Sequence, residues 1–355
     1  MMQNHDLSNP LVSIVLPTMN GASFIGATID SILNQTLQNF ELIIIDDGST
    51  DNTLEILGQY HDPRIQILTQ ENQGVCRSTN RGFALARGKY LSRHDHDDLS
   101  LPNRFERQVR FLDEHPEYAF TGSWAQIWSN GIQTERIHQH PSSPGLVAFS
   151  LLFNSPFVHT SCLMRKAVYE LTGGYTTQID RVPPEDYEFF SRISRSFTMT
   201  NLPECLVVYQ EVQNSMSSVL RADQSPVKQK FTANLVRISS ENLAFASDLE
   251  QVNKNTQDFG ALVHQPELLS EQYDIHAIKN LIVLAAHKIA KQYQDPAVLI
   301  MLKKQLLLLD YLHHTRSGNT YHWSRLKYLY QNRPLHENFG SIGRLIQKIK
   351  PVKRS

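Results

Sequence analysis

The stretch Phe40-Glu41-Leu42-Ile43-Ile44-Ile45-Asp46-Asp47-Gly48 decides the fold of this chain. The unbroken aliphatic run over residues 42–45 is typical of a strand buried on both faces, as strands of parallel sheets are. The two aspartates and Gly48 that follow form a turn and can cap a helix. Because ligands of such sheets bind outside the carboxyl ends of the strands, the stretch predicts a parallel α/β sheet with carboxylates at its binding edge.

Outward from this strand, the sequence alternates between strand and helix patterns. Residues 11–16 form a second buried run that ends at Pro17, and further strands are predicted near Ile65 and Tyr90. Apolar residues at helical spacing separate these strands, which favours an α/β fold with a mixed, mostly parallel sheet flanked by helices. Residues 133–157 are predicted to be rich in turns.

Beyond about Ser217 the pattern becomes helical. We therefore predict a flexible N-terminus over residues 1–9, an α/β domain over residues 10–215 and a helical C-terminal region over residues 216–355. Helices of the last region are predicted at 231–245, 275–293, 297–312 and 323–330.

Composition narrows the class of protein. Hydrophobic residues make up 41% and charged residues 19% of the 355 residues, which is typical of a globular protein. The net charge of −1 gives no field that would attract nucleic acid, so no nucleic-acid partner is expected. The widely spaced Cys76, Cys162 and Cys205 suggest no disulfide framework. With no signal peptide or membrane span in the sequence, the expected location is cytoplasmic.

The acidic run His94-Asp95-His96-Asp97-Asp98 follows the strand predicted near Tyr90. Three carboxylates so close together repel one another, so a loop that keeps them usually holds a cation. In an extended segment, Asp95 and Asp97 point to the same side. These oxygen ligands suit Mg²⁺ or Mn²⁺, which complete their coordination with water and phosphate. The alternative is a solvated acidic turn, which an isolated Asp-x-Asp more often is.

Five motifs in order carry a family resemblance over roughly residues 10–215. The chain resembles a family 2 glycosyltransferase, an inverting enzyme with the GT-A nucleotide-sugar fold. The resemblance implies a nucleotide-sugar donor, most often a UDP-sugar, and a divalent metal. The motifs run from residue 12 to 20, from Asp46-Asp47-Gly48 to Asp51, through Asn72-Gln73-Gly74 with Asn80-Arg81-Gly82, through the acidic run, and to Glu185-Asp186-Tyr187-Glu188.

The resemblance also implies roles in donor binding. Asp97 would bind the metal, and Asp95 would face the ribose or the water shell of the metal. Asp47 would read the nucleotide base, although a turn or N-cap aspartate is the structural alternative. The expected base pocket is lined by Pro17, Thr18 and Met19, with a thioether where relatives carry an aromatic ring.

Three further side chains are assigned near the donor, each with an alternative. Arg77 would reach the base or a phosphate, or is a surface arginine. His159 would lie near the donor sugar, although a lone histidine is more often structural. His96 is expected to point away from its neighbours and not to bind the metal.

In the motif at residue 185, the resemblance assigns Asp186 as the general base that accepts the proton of the acceptor hydroxyl. Glu185 would bind the acceptor or the sugar. The structural alternative is that acidic residues in the first turn of a helix are stabilised by its dipole. One departure concerns the stretch after Tyr209, where Gln210 and Glu211 replace the Arg-x-His of many relatives, so a pyrophosphate or metal contact from this stretch is in doubt.

The acceptor implied is a glycan or lipid-linked sugar in polysaccharide biosynthesis, with transfer of a hexosyl or N-acetylhexosaminyl group. The basic apolar segment at residues 342–354 either docks on an anionic membrane from the cytoplasmic side or is a solvated terminal helix. Two other functions are compatible with parts of the sequence. One is a non-catalytic sugar-nucleotide-binding protein. The other is a dinucleotide-dependent oxidoreductase, but Pro17-Thr18-Met19-Asn20-Gly21 stands where its Gly-x-Gly-x-x-Gly would be.

Overall fold

A computed structural model describes residues 9–212 and 225–316. Within these residues the chain folds into one nine-stranded sheet with helices on both faces and four more helices after it. The strands are β1 Val12–Thr18, β2 Phe40–Asp46, β3 Ile65–Thr69, β4 Tyr90–Arg93, β5 Leu99–Ser100, β6 Tyr118–Ser129, β7 Ile132–His138, β8 Leu163–Arg165 and β9 Thr198–Glu211. The helices are α1 Ile25–Leu33, α2 Thr53–Leu57, α3 Val75–Leu85, α4 Arg104–Glu114, α5 Pro144–Ser150, α6 Lys166–Thr172, α7 Glu185–Ser194, α8 Pro226–Ala246, α9 Lys254–His264, α10 Ile275–Gln292 and α11 Ala297–Arg316.

The strand order is β3-β2-β1-β4-β8-β6-β9-β5, with β7 paired to β6. Strands β1 to β4 run parallel to one another, and β8 joins β4 in the antiparallel sense. The predicted α/β fold with a mixed sheet is therefore confirmed. Strands β2 and β4 lie on opposite sides of β1, so the order of the strands changes direction at β1. In sheets of this kind, such a change leaves a crevice between the carboxyl ends of the two strands, here β1 and β4.

Hydrophobic packing on both faces explains the uninterrupted apolar strands. Along β1, Val12, Ile14 and Leu16 join a core with α1 and α4, while Val15 joins a second core with α3 on the other face. All seven residues of β1 and all seven of β2 are buried. The central strands are therefore rigid supports for the residues that follow their ends.

The approach of β1 to the turn before β4 requires glycine at residue 88. A Cβ atom on Gly88 would lie 2.6 Å from the backbone nitrogen of Ser13 and 2.9 Å from the carbonyl carbon of Val12. We expect Gly88→Ala to lower the free energy of unfolding by about 1–3 kcal/mol, because neither backbone can move aside. Urea unfolding checks this against Gly58→Ala, whose Cβ would make ordinary contacts no closer than 3.4 Å. Equal midpoints for the two variants would contradict the prediction.

The prediction of a turn-rich stretch over residues 133–157 is wrong. Strand β7 pairs with β6 as a hairpin, and α5 is capped by Ser143, whose side chain accepts a hydrogen bond from Leu146 N–H. Most of β7 is exposed, so its sequence shows no alternation of apolar and polar residues that would indicate a strand. The last strand is also longer than the predicted residues 206–209, because β9 follows β6 along its whole length.

The helices after the sheet largely match the prediction. Those predicted at 231–245, 275–293 and 297–312 are confirmed as α8, α10 and α11, whereas α9, which is capped by Asn253, was missed. They share a hydrophobic core with α5 of the sheet domain. In the portion that the structure describes, none of the helices is long and apolar enough to cross a membrane. The predicted helix at 323–330, the basic segment at 342–354, the proposed domain boundary at 215/216 and residues 1–8 lie outside the described residues.

Candidate active site

A cavity of about 1140 Å³ lies where the loops after β1 and β4 meet α7, α8 and the ends of β7 and β9. It brings together six of the predicted site residues, although they are far apart in the sequence. These are Met19, Asp95, Asp97, His159, Glu185 and Asp186.

The acidic loop after β4 is a tight turn, and the expectation of an extended segment is wrong. His96 and Asp97 form the turn. The Thr28 hydroxyl lies 2.8 Å from the carbonyl oxygen of His96 and 2.9 Å from that of Asp98, and its one proton is shared between them, which holds the loop against α1. His96 lines the cavity, and its Nδ1 lies 3.3 Å from the Thr18 hydroxyl.

Asp98 links the acidic loop to β9. One of its carboxylate oxygens accepts a hydrogen bond from Gln210 N–H at 2.9 Å. The Gln210 amide also donates to the Asp97 carbonyl oxygen. Burial, together with the charges of Asp97 and Asp95, raises the pKa of Asp98 well above its ordinary value. Gln210 thus holds the acidic loop from the stretch where the family resemblance leads one to expect a basic residue.

Asp97 has the chemistry of a cation ligand. Burial and the negative charge of Asp95 raise the pKa of its carboxyl group. A bound cation would relieve both effects. No group of three or more His, Cys, Asp or Glu side chains within residues 9–212 and 225–316 could hold a metal by itself. The chemistry of Asp97 suits a hard divalent ion whose other ligands would be phosphate and water, and its role as the metal ligand stays a prediction.

Asp95 is oriented by a buried arginine that sequence reasoning missed. The Arg93 guanidinium contacts both carboxylate oxygens of Asp95, at 2.6 and 3.0 Å, and also lies 2.9 Å from His159 Nδ1. Burial alone would raise the pKa of Asp95, but the charge and hydrogen bond of Arg93, together with the nearby His159 and His94, outweigh it and lower that pKa. A charged residue at the end of an otherwise buried strand was the available signal.

His159 transmits this network to the loop before α7. Because arginine can only donate, His159 Nδ1 accepts, and the proton resides on Nε2, which lies 2.6 Å from the Tyr175 hydroxyl. Burial, followed by the nearby charge of Arg93, lowers the pKa of His159 well below its ordinary value, so the ring is neutral. The Asn80 amide in turn holds both backbone groups of Tyr175, at 2.7 and 2.9 Å. Asn80 therefore supports the site indirectly, by holding the backbone of Tyr175 in place.

Asp186 lies in the first turn of α7 and lines the cavity with Glu185. Burial and the adjacent charge of Glu185 raise the pKa of Asp186 to about 7. A carboxylate with a pKa near neutrality can accept a proton during a reaction and remains ionised in a large fraction of molecules at pH 7. The structural alternative is an acidic residue that only stabilises the helix, and the role of Asp186 as a general base stays a prediction.

Helix α8 holds the segment that carries Asp186 at several points. The Asn234 amide donates to the Pro183 carbonyl oxygen at 2.9 Å, and the Asn242 amide donates to the Ser191 hydroxyl at 2.8 Å. The Tyr187 hydroxyl lies 3.1 Å from that of Ser239. The C-terminal helices thus position the N-terminus of α7, although no motif in the sequence indicated this.

We expect Asn234→Ala to lower kcat for donor turnover about 10-fold, because a small displacement of the reacting groups slows chemistry. The KM for the donor should stay the same, since Asn234 bonds to the segment before α7 and not to the acidic loop. Steady-state kinetics check this against Thr232→Ala on the same helix, where the hydroxyl only bonds the Lys228 carbonyl oxygen. A matched loss in both variants would contradict the positioning role.

The residues predicted to bind the base do not all line the cavity. Asp47 accepts hydrogen bonds from Gln73 N–H, Gly74 N–H and the Gln70 amide, at 2.9, 2.8 and 2.6 Å. Although burial raises the pKa of Asp47, these bonds outweigh it and lower that pKa. The role of Asp47 toward the base stays a prediction beside this evident role in fastening the loop before α3.

The other base-side residues are divided between the interior and the surface. Thr18 and Pro17 are buried at the end of β1, and the Thr18 carbonyl oxygen accepts a hydrogen bond from Asp47 N–H at 2.8 Å. Met19 is 43% exposed, and its sulfur lies 2.9 Å from the Asn72 amide. Arg77 is exposed on α3, outside the residues that line the cavity. Their contacts with a nucleotide stay predictions.

Comparisons with known proteins agree with this geometry. The described fold resembles Staphylococcus aureus TarS 1–349 in complex with UDP-GlcNAc, with a TM-score of 0.57 at 17% identity, over 87% of this chain and 93% of that one. It also resembles the mannosyltransferase PcManGT of Pyrobaculum calidifontis in complex with GDP-Man and Mn²⁺, with a TM-score of 0.52 at 17% identity, over 88% and 87% of the two chains. The fold is that of a GT-A glycosyltransferase.

Sequence relatives define the family. Residues 13–172 match the model of Glycosyl transferase family 2. An uncharacterized glycosyltransferase of Haemophilus influenzae is 30% identical over 293 residues, 77% of this chain and 90% of that protein. The putative teichuronic acid biosynthesis glycosyltransferase TuaG of Bacillus subtilis is 31% identical over 215 residues, 59% and 82% of the two chains. The chain belongs to the family 2 glycosyltransferases, which sets the oxidoreductase alternative aside.

Proposed function

We propose that this glycosyltransferase moves a sugar from a nucleotide donor to an acceptor hydroxyl with inversion at the anomeric carbon. The observation that carries the proposal is the presence in one cavity of two carboxylates in different environments. Asp97 lies beside Asp95 in the acidic loop and suits a cation. Asp186 lies in α7 with its pKa raised to about 7 and suits a proton acceptor.

The proposed reaction is a direct displacement. The acceptor oxygen forms a bond to the anomeric carbon while the bond from that carbon to the diphosphate oxygen breaks, and Asp186 takes the acceptor proton. A bound Mn²⁺ or Mg²⁺ would neutralise the charge that develops on the leaving diphosphate. Arg93 keeps Asp95 in place at the edge of the acidic loop, and Glu185 binds the acceptor or the transferred sugar.

The donor and the biological setting are part of the proposal. The two structural neighbours hold UDP-GlcNAc and GDP-Man, the second with Mn²⁺, which supports a nucleotide-sugar donor and a divalent metal. We favour UDP as the nucleotide. The relative TuaG supports a role in polysaccharide biosynthesis, with a glycan or lipid-linked acceptor. All three cysteines are free in the structure, which supports the cytoplasmic location, and contact with the inner membrane face remains a proposal.

The test is donor binding followed by donor turnover. Calorimetry should show UDP binding that requires Mn²⁺ and is abolished by EDTA, and a panel of UDP- and GDP-sugars should include one that is hydrolysed slowly with Mn²⁺. UDP binding that is unaffected by EDTA would overturn the metal assignment. Tight binding of nucleotide sugars without hydrolysis or transfer would favour the non-catalytic binding protein.

A further inference from the structure

We propose that the part of the cavity lined by His138, Tyr209 and Phe231 binds an uncharged sugar ring of the acceptor. This inference rests on the proposed transferase function and adds the chemical class of its acceptor. We call these three residues, with His140 and Leu235, the acceptor wall. They come from the end of β7 and the residues after it, from β9 and from α8.

The size of the cavity supports two ligands. Pockets for single small molecules usually have volumes of about 300–1,000 Å³. The cavity here holds about 1140 Å³, and the acidic loop occupies only one part of its lining. Asp186 and the acceptor wall line the same cavity as Asp97, so a donor diphosphate at Asp97 and an acceptor at the wall would share it with the proposed proton acceptor.

The acceptor wall consists largely of rings. The ring of His138 meets that of Tyr209 edge to face, with centroids 5.2 Å apart, and lies nearly parallel to that of His140 at 6.3 Å. Phe231 and Leu235 add apolar surface from α8. Pockets that combine aromatic surface with a few polar groups suit ligands that have an apolar face and polar edges. A pyranose ring has this character, because its C–H groups form a face and its hydroxyl groups project from the rim.

The charges of the cavity disfavour an anionic acceptor. Among the described residues that line it, Arg93 is the one lysine or arginine, and its guanidinium contacts Asp95 and His159. Burial lowers the pKa of His140 to about 3, so this ring carries no charge at neutral pH. Arg136, two residues before His138 on β7, is paired with Glu211.

The carboxylates make an anion still less favourable. Glu185 and Asp186 line the same cavity, and no described lysine or arginine lining it pairs with them. A phosphate or carboxylate on the acceptor ring would lose its hydration there and meet negative charges, which is costly in a buried site. A neutral hexose or N-acetylhexosamine avoids this cost. Of a neutral sugar and its uronic acid counterpart, the acceptor wall therefore favours the neutral sugar.

Matched sugars test the proposal. The wild-type protein, Mn²⁺ and the hydrolysed donor are incubated with the methyl glycosides of glucose, galactose and N-acetylglucosamine, and with those of glucuronic and galacturonic acid. We expect at least one neutral glycoside to accelerate release of the nucleotide, and its uronic acid counterpart to act at least about 10-fold less well. A uronic acid that is accepted as well as its neutral partner would overturn the proposal.

Variants of α8 test the wall itself. Phe231→Ala should raise the KM for the neutral glycoside about 10-fold, because ring packing is lost. Phe245→Ala removes a ring of the same helix that is 49% exposed and lies outside the cavity lining, and it should leave that KM unchanged. Equal KM values for wild type and Phe231→Ala would overturn the proposal. If no neutral glycoside is accepted while Mn²⁺-dependent UDP binding and donor hydrolysis persist, the acceptor inference fails and the proposed function stands.

Discussion

Replacement of Asp186 by asparagine should lower donor turnover by about 10²–10⁴-fold, the usual contribution of a general base. Asparagine has nearly the same shape but cannot accept the proton of the attacking hydroxyl or water. Mn²⁺-dependent UDP binding should persist, because Asp186 lies in α7 and the proposed metal ligand lies in the loop after β4. Release of UDP from the donor measures turnover, and calorimetry measures binding. Full activity in Asp186→Asn would show that the base is another group.

The pH dependence gives a second measure of the same residue. Because the pKa of Asp186 is raised to about 7, the carboxyl group is protonated and inactive as a base below that pH. The value of kcat/KM for donor hydrolysis should rise about 10-fold per pH unit below pH 7 and level off above it. Glu185→Gln removes a neighbouring negative charge that raises this pKa, so the midpoint should move to lower pH. An unchanged midpoint in Glu185→Gln would contradict this account.

Replacement of Asp97 by asparagine should weaken Mn²⁺-dependent UDP binding about 100-fold, since a carboxylate ligand and its charge are lost. UDP binding in the presence of EDTA should be the same in this variant and the wild type. Calorimetry with and without Mn²⁺ separates the two quantities. This measurement of UDP binding does not require activity, so it can be made before the donor sugar is known.

Asp98 provides the matched control in the same loop. Its carboxyl group has a strongly raised pKa and accepts a hydrogen bond from Gln210 N–H, a bond that an asparagine oxygen can also accept. Asp98→Asn should therefore retain Mn²⁺-dependent UDP binding. If Asp98→Asn loses this binding while Asp97→Asn keeps it, the metal ligand has been assigned to the wrong residue.

Local patterns were enough to predict much of the framework. Apolar runs predicted β1 and β2, and helical spacing predicted three of the helices after the sheet, because burial on one or both faces imposes a short period on the sequence. The same reasoning missed β7, most of which is exposed and shows no such period. It also missed α9, which begins at an asparagine cap and has a mixed composition.

The site also combines residues that local motifs predict with contacts that only distant segments make. Asp95, Asp97 and Asp186 could be named from motifs, because each motif is local and carboxylates at strand or helix ends have a recognisable chemistry. The function of Arg93 could not be predicted, since its partner His159 is 66 positions away. The turn at His96 and Asp97 is likewise held by contacts with distant elements, including one from Gln210 to a residue 112 positions earlier.

The sequence by itself determined the buried strands, the class of fold and the carboxylates that could perform the chemistry. The tertiary structure alone decided that β4 lies beside β1, that α8 positions the helix bearing Asp186, and that rings from β7, β9 and α8 line one cavity. The physical reason is the range of the interactions. Periodicity and turn chemistry act within a few residues, whereas burial, pKa shifts and the composition of a cavity depend on which distant segments pack together.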